Sequence, residues 1–165
     1  MNIFRLSDDP KECARMHCDK HVVKMILETA QMLSTTFRVL GSEDLADDLD
    51  MYKIAHKNHP SSVWVRGTIA NYYWTVSLFF ALTKEYTQRY GKHHASERLL
   101  PYFQKYVPYN MSMSKQPMIF PQCMPDQYKV EDDPVAAYRN YYKGEKAYFA
   151  QWNRGVPAPS WWPTC

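Results

Sequence analysis

Residues 16–28 concentrate side chains that can do chemistry. The segment reads MHCDKHVVKMILE and holds two histidines, a thiol, an aspartate, two lysines and a glutamate. Positions four and seven apart share one side of an α-helix. We therefore expect His17, His21, Lys24 and Glu28 to form a reactive face. The apolar stripe beside that face consists of Val22, Ile26, Ala30, Leu33 and Phe37.

The histidines allow a metal-ion interpretation. His17 and His21 are spaced i, i+4, which lets two imidazoles bind one ion from a helix face. Glu28 could serve as a third ligand, and the polar turn after residue 55 offers His56 and His59 as a second pair. A metal-dependent hydrolase or nuclease with a divalent ion is therefore one hypothesis. Hydrogen-bonded core or surface histidines, with no cofactor, are the other.

A carboxylate and an amine give a second kind of chemistry. Glu28 lies in the middle of the predicted helix among apolar residues, on a face next to that of His21. It is the carboxylate best placed for acid–base catalysis. An amine nucleophile could come from Lys24, Lys20 or the N-terminus at Met1, because burial or a cationic neighbour makes an amine reactive. The alternative is a salt-bridged glutamate among solvated lysines.

Charge and aromatic residues permit a nucleic-acid partner. The formal net charge is +3 and the pI is near 8.6, which allows a polyanion without demanding one. Residues 138–143 read YRNYYK and combine cations with aromatic rings. That mixture suits base stacking with phosphate contact, although an aromatic helix can equally belong to a core.

The elements that position these groups are predicted to be helical. With 45% hydrophobic residues, 22% charged residues and only five glycines, the chain favours one compact all-α domain over residues 1–165. We expect four to five helices, with a long loop rich in proline and methionine before the last. The first starts at Asp9-Pro10, could restart at Asp19 and ends near Leu40. The others cover residues 44–52, 61–90, 96–106 and 135–152.

The remaining features point to a cytoplasmic protein. Cys13, Cys18, Cys123 and Cys165 form no CxxC pair, and we interpret them as reduced thiols. No signal peptide is recognisable, and no apolar run reaches membrane-spanning length. We expect no membrane partner, and a monomer.

Two resemblances add to this interpretation. The stretches HCDKHVVKMILE, HKNHP, MPDQY and AYRNYYKGEKAYFAQW resemble a family of small proteins common in tailed-phage genomes, which implies a phage origin and the cytoplasm of an infected host. More weakly, Asp19-Lys20-His21 followed by Glu28, and a long aromatic helix ending in Arg89-Tyr90-Gly91, are similar to the phage pyrimidine-dimer DNA glycosylases (endonuclease V). A tail ending in two tryptophans is a further similarity.

The second resemblance implies a specific mechanism. That family flips a base out of damaged double-stranded DNA and cuts with an amine nucleophile and a glutamate. It uses the amine of a threonine exposed by removal of the initiator methionine, whereas Asn2 follows Met1 here. The implied catalytic residues are Glu28, His21 and an amine from Met1 or Lys24. The implied DNA contacts are Lys20, Arg38, Arg89, Tyr138, Arg139 and Tyr142.

A third hypothesis is a binding protein without turnover. A phage protein of this size could disarm a host factor through a surface patch around residues 107–125. The three hypotheses differ in what should surround Glu28. An ion there favours the hydrolase, and the N-terminal amine favours the glycosylase.

Overall fold

The computed structural model describes residues 1–163 as an all-α fold, so the fold class predicted from the sequence is confirmed. Within these residues there are seven α-helices and no strand. They are α1 Pro10–Met16, α2 Asp19–Val39, α3 Glu43–Asp48, α4 Pro60–Val65, α5 Ile69–Tyr90, α6 Leu100–Lys105 and α7 Pro134–Tyr141. A 3-10 turn Ala95–Leu99 precedes α6, another at Asp126–Tyr128 lies in the long loop, and a π-helical turn Tyr142–Lys146 follows α7.

Two predicted helices are each divided in two, which explains the larger number. The first stops at His17, whose backbone is extended, and α2 begins anew at Asp19. The helix predicted over residues 61–90 is interrupted before Thr68, whose side chain accepts a hydrogen bond from the backbone N–H of Asn71 and caps α5. The last helix is shorter than predicted, because α7 gives way to the π-helical turn at Tyr142.

The apolar stripe of α2 forms the centre of the core. All five of its predicted members are fully buried, which confirms the stripe. Helix α2 packs against α5 and α4, and α1 packs against α5. Helix α5 carries apolar side chains on more than one face. Its buried face includes Tyr72, Phe79 and Leu82, but Tyr73 and Phe80 are exposed.

Two buried arginines tie these helices to the neighbouring segments. Arg89 of α5 is buried, pairs with Asp19 and Glu85, and donates to the backbone carbonyls of Arg15 and His17. It therefore holds the break between α1 and α2. Arg38 pairs with Asp47 at 2.7 Å and donates to the backbone carbonyls of Met51 and Tyr52. A buried guanidinium needs such partners, because unpaired burial of its charge is costly.

The N-terminal segment runs into the body of the protein, as expected. Ile3, Phe4 and Leu6 are buried, and Arg139 of α7 donates from Nε to the carbonyl of Leu6 at 2.9 Å. This packing fixes where the first residue lies. No helix of the described part of the chain is long and apolar enough to cross a membrane.

Candidate active site

The N-terminus lies beside Glu28. The α-amine of Met1 is 3.9 Å from Glu28 Oε1, and the backbone N–H of Asn2 donates to Glu28 Oε2 at 3.1 Å. The Glu28 side chain is 14% exposed, so substrate and solvent can still reach it. This 3.9 Å separation is an ion pair and not a hydrogen bond, and a closer approach of the two groups would let the carboxylate take up the proton of the amine, as activation of an amine nucleophile requires.

The side chain of Asn2 fixes this geometry. Its Oδ1 accepts hydrogen bonds from Tyr138 Oη and from the N–H of Ile3, both at 2.9 Å. Its Nδ2 donates to the carbonyl of Cys123 at 2.9 Å. Two segments distant in the sequence, at Cys123 and Tyr138, therefore hold the residue next to the α-amine. Tyr138, predicted from the sequence as a base-stacking residue, is fully buried and used here instead.

His59 adds an imidazole within electrostatic range of the amine and the carboxylate. It caps α4, and its Nδ1 accepts from the N–H of Ser61 at 3.1 Å, so the proton of the neutral ring is on Nε2. Burial lowers the pKa of His59, and the positive charges of the N-terminus and His56 lower it further. The negative charge of Glu28 raises this pKa and so opposes the other effects. These influences place His59 within electrostatic range of both the α-amine and Glu28.

Lysines extend the site along α2. Lys24 is 62% exposed, with Nζ 4.0 Å from Glu28 Oε1, and Lys20 is exposed one turn before it. Both line a cleft of about 690 Å³ whose other wall is the segment after the π-helical turn, including Phe149, Asn153 and Arg154. The N–H of Asn153 donates to Asp19 Oδ2 at 2.7 Å, which attaches that wall to the start of α2. Positively charged side chains therefore form a row from this cleft to Glu28.

His17 and His21 are buried in the core, unlike the exposed lysines of this row. His17 Nδ1 is 2.7 Å from the carbonyl of Cys13, and His21 Nδ1 is 2.7 Å from Tyr142 Oη. The His21 ring stacks at 4.6 Å from Phe4. Burial lowers the pKa of His17 to about 4 and that of His21 to about 2, so both rings are neutral at physiological pH.

This burial predicts an acid-sensitive fold. Both pKa values lie below the ordinary 6.5, so below pH 6.5 the unfolded chain binds protons that the folded chain does not. We expect the free energy of unfolding to fall by about 1 kcal/mol per pH unit for each histidine as the pH drops from 6.5 to about 5. Urea denaturation at several pH values measures this slope. The His17→Gln variant should show a shallower slope, and a slope equal to that of the wild type would contradict the assignment.

The four histidines of the metal hypothesis do not converge. His17 and His21 are buried on one side of the core, with ring centroids 6.5 Å apart, whereas His59 is near the N-terminus and His56 is exposed. Among residues 1–163 no group of three histidine, cysteine or acidic side chains could hold a metal ion. Cys13, Cys18 and Cys123 are free thiols, and Cys165 lies outside the described residues. The predicted metal site therefore finds no support in the arrangement of these residues.

The other predicted DNA contacts are mostly inside the protein. Arg38, Arg89 and Tyr142 are buried, and each is engaged with protein partners. Arg139 is half-buried and covers the ring of Trp161 at 5.4 Å. Only Lys20 of that set is fully exposed. We therefore assign the buried members to the fold and base no DNA surface on them.

Sequence reasoning missed Asn2, Arg154 and Asn153. The cleft residues follow the predicted last helix, and no motif marks them. Asn2 had one usable signal, since a polar side chain directly after Met1 is well placed to orient the α-amine. His59 was predicted as a metal ligand, and its separation from Glu28 in the sequence gives no local signal of their proximity.

Comparison with known protein families agrees with this geometry. The family model described as pyrimidine dimer DNA glycosylase matches residues 1–98, which include the N-terminus, Glu28 and His59. The match covers more than half of the chain, so the chain belongs to this family. Neither the curated proteins nor the solved structures include a match.

Proposed function

We propose that this member of the pyrimidine dimer DNA glycosylase family removes a damaged pyrimidine from duplex DNA and then cuts the abasic strand. One observation carries the proposal, namely the 3.9 Å approach of the Met1 α-amine to the Glu28 carboxylate. An amine and a carboxylate at this separation match the two groups that a glycosylase with lyase activity needs. The family match over residues 1–98 supports the same substrate class.

The chemistry follows from the two groups. Glu28 takes a proton from the α-ammonium, and the freed lone pair attacks C1′ of the damaged nucleotide. The bond from C1′ to the base breaks, and its electron pair leaves with the base, which takes up the proton that Glu28 holds. The carboxylate restored in this way stabilises the positive charge on the sugar and accepts a second proton from the amine. That proton passes to O4′ as the sugar ring opens and a protonated imine forms between the amine and C1′. Loss of a C2′ proton then breaks the bond from C3′ to the phosphate oxygen, and its electron pair leaves with the phosphate.

Neighbouring residues orient the reaction. Asn2 holds the amine through Tyr138 and Cys123, and His59 offers its Nε2–H as a neutral donor beside it. The damaged nucleotide must leave the base stack to reach this centre. Lys24 is the second amine within range of Glu28 and is the alternative nucleophile.

The lysine row is the proposed phosphate-binding surface. Lys24 and Lys20 lie one and two turns before Glu28 on α2, and Arg154 adds a third cation across the cleft. Cations in such a row neutralise successive phosphates, and each release of counterions makes binding depend on salt.

Lys20→Gln should therefore weaken binding of duplex DNA. We expect the slope of log Kd against log salt to fall by about 0.9, the value for one lost phosphate contact. Fluorescence anisotropy at several salt concentrations measures it. Lys105→Gln, which removes an exposed lysine on α6, is the matched control. Equal salt slopes for Lys20→Gln and the wild type would remove Lys20 from the DNA surface.

The function itself is tested with damaged DNA. Ultraviolet-irradiated duplex and a duplex with a single abasic site are incubated with the protein, with and without borohydride. We expect strand cleavage of both, and a covalent adduct when borohydride reduces the imine. Absence of cleavage and adduct on both substrates would refute the proposal.

A further inference from the structure

An apolar tip projects from the long loop close to the proposed catalytic centre. Ile119 is 90% exposed and Met118 is 47% exposed. Together with Val63 and Pro60 they border a shallow cleft of about 350 Å³. Single exposed apolar residues are ordinary, but two adjacent ones held beside a catalytic site call for a physical explanation.

The backbone holds this tip outward. The carbonyl of Met118 accepts from Trp64 Nε1 at 3.0 Å, and its N–H donates to Asn71 Oδ1 at 3.1 Å. Directly after the tip, Phe120 is buried against Trp64, with ring centroids 4.7 Å apart. Because both sides of Ile119 are anchored, its side chain cannot turn inward without breaking these contacts.

The tip is connected directly to the catalytic centre. Tyr138 Oη, which donates to Asn2 Oδ1, is also 3.1 Å from the carbonyl of Pro121. Ile119 is two residues before Pro121 and four before Cys123, whose carbonyl binds the Asn2 side chain. Four residues of chain span at most roughly 14 Å. The distance from Ile119 to the Met1 amine is therefore shorter than the length of about one helical turn of duplex DNA.

The two chain segments that form the tip and its first cleft carry only positive charge, whereas a second cleft bordered by Ile119 is lined by both Lys129 and Glu131. Residues 53–68 and 110–125 contain lysine, arginine and histidine but no acidic residue. Lys57 and Lys115 are exposed on these two segments. Apolar side chains flanked by cations match duplex DNA, in which apolar wedges can enter between bases while cations bind the phosphates.

We propose that Ile119 and Met118 form a wedge that inserts into the base stack next to the lesion. The inserted side chains keep the duplex open while the damaged nucleotide occupies the Met1–Glu28 centre. This inference rests on the proposed function and adds the element that opens the substrate. It assigns to the loop a direct contact with bases, in place of a contact with a protein partner.

The test separates opening of the duplex from chemistry. The double variant Met118→Ser/Ile119→Ser is compared with the wild type on two probes. One is a duplex with a pyrimidine dimer beside 2-aminopurine, whose fluorescence rises on unstacking, and the other is a single-stranded oligonucleotide with an abasic site. Tyr109→Ser is the control, because Tyr109 is 82% exposed on the same loop but is bound through its N–H to Ser42, beyond the far end of α2.

We expect the double variant to lose the fluorescence rise and to cleave the duplex roughly 10- to 100-fold more slowly, with borohydride trapping on the single strand within about 2-fold of the wild type. Tyr109→Ser should match the wild type throughout. Unchanged duplex cleavage and fluorescence in the double variant would overturn the wedge. An equal loss on both probes would also overturn it, because the tip would then support the centre itself.

Failure of the proposed function gives a different result. In that case the wild type forms no adduct on either probe, and the wedge is rejected together with the function. A wild type that traps the single strand but causes no fluorescence rise with the duplex keeps the function and rejects the wedge. That outcome would favour a protein partner as the ligand of the apolar tip.

Discussion

Glu28→Gln is expected to slow cleavage of ultraviolet-irradiated duplex DNA by about 10³-fold or more. Glutamine cannot take the proton from the Met1 amine, 3.9 Å away, and carries no charge to stabilise a cationic sugar. Its amide oxygen can still accept the hydrogen bond that Asn2 donates at 3.1 Å. The variant therefore removes the chemistry while preserving the local geometry, and cleavage under single-turnover conditions measures the loss.

Two controls make this result specific. Glu43→Gln removes an exposed acid on α3 and should leave cleavage unchanged, which excludes a general effect of net charge. Thermal unfolding of Glu28→Gln should resemble that of the wild type, since the ion pairs of Glu28 are long and Lys24 is mostly exposed. If Glu28→Gln retains more than about a tenth of the cleavage rate, another group supplies the acid–base chemistry.

The sequence predicted the helical face of Glu28 because helix periodicity is a local property. The stripe from Val22 to Phe37 and the caps at Asp9 and Gly91 depend only on neighbours a few residues away, and all lie where predicted. The division of helix 61–90 was missed because Gly67 tolerates both a helix and a turn. A Cβ at this position would collide with the sulfur of Met118 and would lie in tight contact with Asn71, which is a tertiary constraint.

The proposed catalytic centre was only half predictable for the same reason. Lys24 and Glu28 share a helix face, so their proximity follows from spacing. Asn2, Cys123 and Tyr138 meet through contacts that span more than a hundred residues, and no periodicity encodes them. The tyrosine and arginine side chains of α7 and α5 were expected on DNA because their types suit it. Their burial follows from helix packing, which residue type alone does not determine.

Extending the chain by one glycine before Met1 is expected to abolish borohydride trapping. The extension converts the reactive α-amine into an amide and moves the new amine by roughly 3.5 Å, beyond the reach of Glu28. Binding of damaged duplex should change little, because the lysine row and the apolar tip are untouched. Gel electrophoresis of the reduced adduct measures trapping, and anisotropy measures binding.

The attachment point of the adduct decides between the two amines. In the unextended protein, mass spectrometry of the trapped peptide should place the sugar on the α-amine of Met1. A chain that had lost Met1 would present the amine of Asn2 instead, since that nitrogen already lies 3.1 Å from Glu28 Oε2. Lys24→Gln should still trap, because Lys24 Nζ is 62% exposed and meets Glu28 only at 4.0 Å. Trapping that survives the glycine extension and disappears in Lys24→Gln would identify Lys24 as the nucleophile, since it is the only other amine found within 4.0 Å of the Glu28 carboxylate among residues 1–163.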